Sequence, residues 1–455
     1  MCNDKRRDFL KISGQTALLA ATAPLLNMGY ISAAQAQAAN NHILVYVFLR
    51  GGWDGLSIVV PTNATRVKEL NELRPKTGRI AMDQKTLLKL KDGTKDYEFG
   101  LHPQMKGLHG LWKDGQVLFI HGAGAKSGNR SHFEQMALIE TGVAAEGVNT
   151  PKGTGFLNRA LLGISPAAVI QGVAVSSLIP TSLKGSKPTL ASTNFQNYFK
   201  QTDASKQLRD IASTNIQGSR DALQGRIQDH LLGTAPANPG SADKQLTGAG
   251  RNGIRSLDLV EGIVQQSAGE YVGGAGALFA QAERVIKAQK GKTGDQAVRT
   301  VTIDIGGWDS HFDQRQMLEN SVAGLDAALS QFAKAVLSGG NVTIVVQSEF
   351  GRTARENGTG GTDHGRGTVM MVLAKKGELA KKVLTKNFSL AKSALDSGRD
   401  VKVNIDFREI FAEILTKRMG VPKKLINQSL VVSGKTYEPI FPGYAGNEHK
   451  IFKGA

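Results

Sequence analysis

Cysteine is nearly absent: the one thiol in 455 residues is Cys2. Structural disulfides, thiolate catalysis and cysteine-ligated zinc are thereby excluded together. Acid is scarce relative to base, with 39 Asp and Glu against 56 Lys and Arg and a formal charge of +17. That excess invites a nucleic-acid reading, but the basic residues are scattered in short clusters such as Lys375-Lys376, Lys381-Lys382 and Lys423-Lys424. With no basic stripe interleaved with aromatics and no recognisable nucleic-acid module, the charge reads as a solvated basic surface. Such a surface favours small anionic substrates rather than a specific nucleic acid. Long apolar runs are missing too, so no transmembrane segment is expected in the mature chain. Core material is plentiful, however: 40% of the residues are hydrophobic, too many for a disordered chain.

The first residues carry an address rather than a fold. Lys5-Arg6-Arg7-Asp8-Phe9-Leu10-Lys11 is a twin-arginine pattern, followed by an apolar stretch from Thr16 to Leu26 and the small-residue run Ala33-Ala34-Gln35-Ala36-Gln37-Ala38. The stretch is too short to span a bilayer comfortably, and the order of the three parts is that of a secretory signal. Cleavage is expected after Ala36 or Ala38. Residues 1–38 would leave with four basic and two acidic side chains, and the charge would fall to about +15. The expectation is an exported bacterial protein, periplasmic or secreted. The twin-arginine route carries folded cargo, which suits a protein that acquires a metal before export.

Residues 39–455 are expected to form a single α/β domain. His42 to Leu49 is an almost unbroken apolar, β-branched and aromatic run, as in a strand buried on both faces. Similar runs begin at Val117, Val301, Val342 and Val369. Between them lie helical stretches, the clearest from Leu318 to Leu337, where Leu318, Val322, Leu325, Leu329, Phe332 and Val336 share one face. Alternating buried strands and amphipathic helices predict a sheet with helices on both sides. Residues 200–300, rich in Gln, Ala, Ser and Gly with a loop-like stretch from Gly233 to Gly250, are expected to form a helical insertion.

Three strand runs end in a carboxylate: Asp54 and Asp309, each in a Gly-Gly-Trp-Asp, and Glu349 in Ser348-Glu349-Phe350-Gly351. Ligands bind outside the carboxyl ends of strands in open α/β sheets, so these acids are placed to converge. Two histidines stand beside acids, in Asp309-Ser310-His311 and Asp363-His364. Imidazole with carboxylate suits zinc or manganese; carboxylates alone would suit calcium or magnesium. Ser131, in Arg130-Ser131-His132-Phe133-Glu134, sits where a helix should start. With Glu134 three residues on it forms a capping-box pattern, yet a hydroxyl at a helix N-terminus beside a metal is also placed to act as a nucleophile. Arg130 or Arg352 could hold an anionic group. Nucleotide loops are not matched: Gly122 to Gly128 lacks the glycine before lysine of a P-loop, and no Gly-x-Ser-x-Gly elbow occurs.

The ordered set Leu49 to Leu56, Leu101-His102-Pro103, Arg130 to Phe133, Gly306 to His311, Ser348 to Thr353 and Thr362 to Gly365 resembles the bacterial family DUF1501. That family is similar to the alkaline phosphatase and sulfatase superfamily, which implies a three-layer α/β/α sandwich with metals at the strand ends. The resemblance implies Ser131 as nucleophile and Asp54, Asp309, His311, Glu349, His364 and, with it, Asp363 as metal ligands. Phe350 replaces a histidine usual in the superfamily, which implies fewer metals than a full two-zinc site. The sulfatase motif Cys/Ser-x-Pro-x-Arg is missing around Ser131. The expected function is a metal-dependent hydrolase of small anionic phosphate esters, with sulfate esters second. Zinc is the first choice of metal, with calcium or manganese as alternatives. The rival is a non-catalytic periplasmic scaffold or binding protein on the same fold.

Replacing Arg6 and Arg7 together by lysine should hold the precursor in the cytoplasm, because the export receptor reads the arginine pair. Cell fractionation checks this, and normal accumulation of mature protein in the periplasm would refute it.

Overall fold

The computed structural model describes residues 41–143, 153–164, 170–197, 259–292, 297–432 and 435–454. The signal segment, the stretch Gly233 to Gly250 and most of the expected insertion lie outside the described residues. In chain order the first strands are β1 (Ile43–Leu49), β2 (Val59–Pro61), β3 (Leu88–Asp92), β4 (Lys95–Leu101), β5 (Val117–Gly124), β6 (Gly172–Val175) and β7 (Thr189–Ala191). They are followed by β8 (Thr300–Ile305), β9 (Val342–Ser348), β10 (Thr368–Leu373), β11 (Val383–Leu384), β12 (Ile405–Asp406), β13 (Leu430–Val432) and β14 (Lys435–Tyr437). The five apolar runs of the sequence are thus β1, β5, β8, β9 and β10.

These five belong to one nine-stranded sheet of order β11-β5-β10-β9-β1-β8-β6-β7, with β12 also paired to β5. The sheet is mostly parallel; β10 runs against both β9 and β5. Its faces are both apolar because the runs do not alternate. From β1, Val45, Val47 and Leu49 enter one core, and Leu44, Tyr46 and Phe48 enter the other. Helices α1 (Ala64–Leu73), α2 (His132–Thr141), α3 (Phe156–Ile164), α4 (Gly273–Lys287), α5 (Gln314–Val336) and α6 (Phe407–Lys417) supply the outer layers. On the first face α5 buries Leu318, Val322, Leu325, Leu329 and Phe332, the stripe expected from its sequence. On the second, α3 and α6 bury Phe156, Ile410 and Phe411. Each such side chain contributes roughly 1.5–3 kcal/mol, so the two cores hold the sheet between layers of helix, an α/β fold. Among the described residues no helix is long and apolar enough to cross a membrane.

Register positions everything that follows. Leu49 at the end of β1 is level with Ile305 of β8 and with Ser348 of β9. The loops after the three strands therefore leave the sheet at one height. Gly51 and Gly52 let them pack together. Both have positive φ, and a Cβ on Gly51 would fall 2.5 Å from Asp309 N, while one on Gly52 would fall 2.5 Å from the Phe350 ring. The tryptophans of the two Gly-Gly-Trp-Asp copies meet edge to face, ring centres 5.7 Å apart, so the duplicated motif forms one packed unit.

The first of these cores carries a buried base. His121 of β5 is enclosed by Phe99 and Phe388, with Nε2 3.0 Å from Val59 O. Burial pushes its pKa down to about 3, against the opposing hydrogen bond to Val59. The folded state therefore holds it neutral where the unfolded chain, at about 6.5, takes up a proton. Stability should accordingly fall as pH drops below about 6.5, by up to ~1.4 kcal/mol per pH unit for this one group. In melts from pH 7.5 to 4.5, His121→Gln should show a shallower decline than the parent; parallel declines would contradict this.

Candidate metal centre

Four side chains from three parts of the chain meet beyond the ends of β1, β8 and β9. Asp309 and His311 follow β8, His364 precedes β10, and His132 is the first residue of α2. His132, Asp309 and His364 each offer one atom, and these atoms lie within 4.8 Å of one another. His311 joins them: its Nε2 is 3.0 Å from Asp309 Oδ1 and 3.0 Å from His364 Nε2.

Each imidazole is oriented from behind. His132 Nδ1 donates to Glu349 Oε1 at 2.7 Å, His364 Nδ1 donates to the Arg130 carbonyl at 2.8 Å, and His311 Nδ1 lies 3.2 Å from Asp363 Oδ1. With Nδ1 engaged by an acceptor, a neutral ring turns the lone pair of Nε2 inward. The lone pairs of His132 and His364 and the Asp309 carboxylate then face one small space, with His311 Nε2 at its edge beside Asp309 and His364. The Nε2 atoms of His311 and His364 stand too close for two neutral acceptors without a cation or a proton between them. His132 Nε2 is buried without a hydrogen-bond partner, although 3.4 Å from Asp309 Oδ2. An orphaned buried nitrogen among inward-facing donors fits a divalent ion.

The charges agree with that use. Burial would raise Asp309, but the hydrogen bond and charge of Arg352 outweigh it and hold the carboxyl below its ordinary value. Burial also opposes ionisation of Glu349, and its hydrogen bonds from His132, Gly51 N–H and Ser348 prevail. His132 is in turn raised, first by its bond to Glu349; the same increase in basicity strengthens a ring as a ligand. His364 is lowered by burial, which favours the neutral ring.

Of the six ligands expected from sequence, Asp309, His311 and His364 present atoms to this cluster. Glu349 and Asp363 stand one step out, behind His132 and His311. Glu349 also receives Gly51 N–H at 2.8 Å and the Ser348 hydroxyl at 2.9 Å. Asp54 is engaged elsewhere: both oxygens are held by Arg74, at 2.6 and 3.0 Å, and Ser57 and Gln314 also donate to it. These bonds commit Asp54 to Arg74, Ser57 and Gln314, and it is not among the residues grouped at the cluster. Arg352 is likewise engaged, with Asp309 Oδ1 at 2.6 Å and with Thr362 and Gly51 O. It positions a ligand rather than reaching outward. Arg130 uses Nε and Nη2 on Asp400 and keeps about a third of its side chain exposed (31%).

Ser131 is the N-cap residue of α2, and its carbonyl accepts Gln135 N–H at 2.9 Å. Its hydroxyl makes no capping hydrogen bond, so the Ser-x-x-Glu pattern does not act as a capping box here. Glu134 instead accepts from the Asn129 amide. Sequence reasoning missed His132. A histidine beside an acid in the chain is a local signal, whereas the carboxylate behind His132 is Glu349, 217 residues away. Phe350 packs its ring 4.8 Å from His132 and 5.0 Å from His364. It forms a wall of the site.

The fold and site together define a mostly parallel α/β protein with a His/Asp cluster at its strand ends. Residues 41–374 match the family described as protein of unknown function (DUF1501), and the chain belongs to that family. No curated relative matches it. Among solved structures it is similar to the alkaline phosphatase from the Antarctic bacterium TAB5, at 11% identity over 74% of this chain and 92% of that one, with a TM-score of 0.29. A variant of the TAB5 enzyme with Mg bound is similar at 11% identity over 77% and 95%, with a TM-score of 0.31. The fold assignment rests on the sheet order and the two-sided core, not on these scores.

Three substitutions separate ligand, ligand support and structural frame. His132→Ala should abolish stoichiometric metal in elemental analysis, and Glu349→Gln should weaken metal affinity about 10–100-fold by loosening His132. Asp54→Ala should keep the metal but lose roughly 3–5 kcal/mol of stability, since Arg74 is left buried and unpaired. Loss of metal in Asp54→Ala with unchanged stability would reverse these assignments.

Proposed function

We propose that this chain is an exported, metal-dependent hydrolase of phosphate esters, with sulfate esters second. The observation that carries the reading is the place of Ser131. It lies between Arg130, whose carbonyl anchors His364, and His132, which faces the cluster, and its hydroxyl is not used as a cap. Three imidazole nitrogens and one carboxylate are a nitrogen-rich set that suits zinc, or manganese, better than the oxygen-seeking calcium or magnesium. His132, His311, His364 and Asp309 would hold the ion, which when bound supplies positive charge that favours ionised oxygen nearby.

The chain's own residues account for the rest. Ser131 Oγ gives up its proton to solvent as it attacks phosphorus, the bond to the ester oxygen breaks, and the alcohol leaves with a proton drawn from solvent. Water then cleaves the phosphoseryl bond and restores the hydroxyl. The first backbone N–H groups of α2 point at the phosphoryl oxygens, where the helix dipole favours negative charge. Arg130, with part of its guanidinium beyond Asp400, is placed to meet a further oxygen. Arg352 holds Asp309 in place throughout. One observation favours a non-catalytic binding protein instead: Arg352 is turned inward, so of the two arginines expected to hold an anion only Arg130 is placed to do so. Export by the twin-arginine route remains part of the proposal, since a folded metal centre suits it.

Ser131→Ala separates the two readings. Because the hydroxyl does not cap α2, stability should change by no more than ~0.5 kcal/mol, while hydrolysis of a phosphomonoester falls by orders of magnitude. Ser131→Asp should fold and be inactive. Turnover within a few-fold of the parent in either variant would sink the serine mechanism.

A further inference from the structure

Two of the histidines in the cluster are each followed by an exposed phenylalanine. Phe133, after His132, is 84% exposed, and Phe312, after His311, is 68% exposed. The other large hydrophobics with high exposure among the described residues are Leu178, Val272 and Val431; the two aromatic ones both adjoin the site. The chain geometry explains how they reach the mouth. His132 opens α2 with its ring turned inward, and the next residue lies about 100° around the helix, so Phe133 stands in solvent beside it. Phe312 lies between His311 and Asp313, the left-handed residue just before α5. The cluster itself opens to solvent, with His311 40% and Asp309 43% exposed.

An exposed aromatic ring is costly in water and useful against an apolar group. A protein-docking surface would need a contiguous apolar patch. The residues that flank these rings along the chain, Asn129, Arg130, Glu134, Asp313 and Arg315, are polar or charged, so neither ring is part of an apolar run. We propose that Phe133 and Phe312 form a rim that receives the apolar part of the substrate, so the preferred esters are those of aromatic alcohols rather than of sugars or short alcohols. This rests on the ester-hydrolase reading and specifies its substrate.

The test compares 2-phenylethyl phosphate with ethyl phosphate, whose leaving alcohols have similar basicity. The parent should favour the phenylethyl ester about tenfold or more in kcat/KM, chiefly through KM, and Phe133→Ala with Phe312→Ala should reduce that preference to about twofold. Because both rings are exposed, melting temperature should hardly move. Binding of 2-phenylethylphosphonate and methylphosphonate, measured by calorimetry, reads the rim without turnover. If neither ester is hydrolysed but the phosphonates still show the Phe-dependent preference, the rim stands and the hydrolase reading fails. Equal affinity for both phosphonates, or a preference that survives the double substitution, overturns the rim whatever the activity. If the rings instead serve a protein partner, the phosphonates will show no preference.

Discussion

Leu49 lies level with Ile305 on one side and with Ser348 on the other, and the chemistry of this protein depends on that alignment. Side-chain direction in a strand has a period of two, so a slip of one residue would turn the strand's apolar set to the wrong core. Because β1 is apolar on both faces, register is fixed less by alternation than by shape at the strand ends. There the glycines after β1 admit the Asp309 backbone and the Phe350 ring. Bulky residues at Gly51 or Gly52 would push apart the loops that bring Asp309, His311 and Glu349 together.

Behind the cluster runs a buried polar chain. Arg74 holds Asp54, Gln314 bridges Asp54 to Thr362, Thr362 holds Arg352, and Arg352 holds Asp309. Every charge in it has an opposite partner or a hydrogen bond, which is the condition for tolerating charge in a core. The chain joins the first Gly-Gly-Trp-Asp loop to the second without any of its members except Asp309 facing the metal position. Asp54 thus acts at a distance, by fixing the frame, while the histidines are fixed by Glu349, Asp363 and the Arg130 carbonyl.

Much of the fold was legible because its signals are local. The five unbroken apolar runs became five strands, and the stripe of α5 was visible in its spacing. The convergence of Asp309, His311 and His364 was also foreseeable, since strand-end acids with neighbouring histidines carry their own pattern. What escaped was pairing at long range. Nothing in the sequence around Asp54 shows that Arg74 will take both its oxygens, and nothing around His132 shows Glu349. At Ser131 the Ser-x-x-Glu pattern is only half realised: the residue does precede α2 as its N-cap, but Asn129 and Glu134 pair with each other and the hydroxyl makes no capping bond.

His132, His311, His364 and Asp309 are placed to hold a single divalent ion. A crystal structure of the mature protein, with anomalous difference maps collected on either side of the zinc edge, tests it most directly. One peak per chain is expected, bounded by Nε2 of His132, His311 and His364 and by a carboxylate oxygen of Asp309, with Arg74 still paired to Asp54. No peak there, or a peak ligated by Asp54 in place of His132, would contradict it.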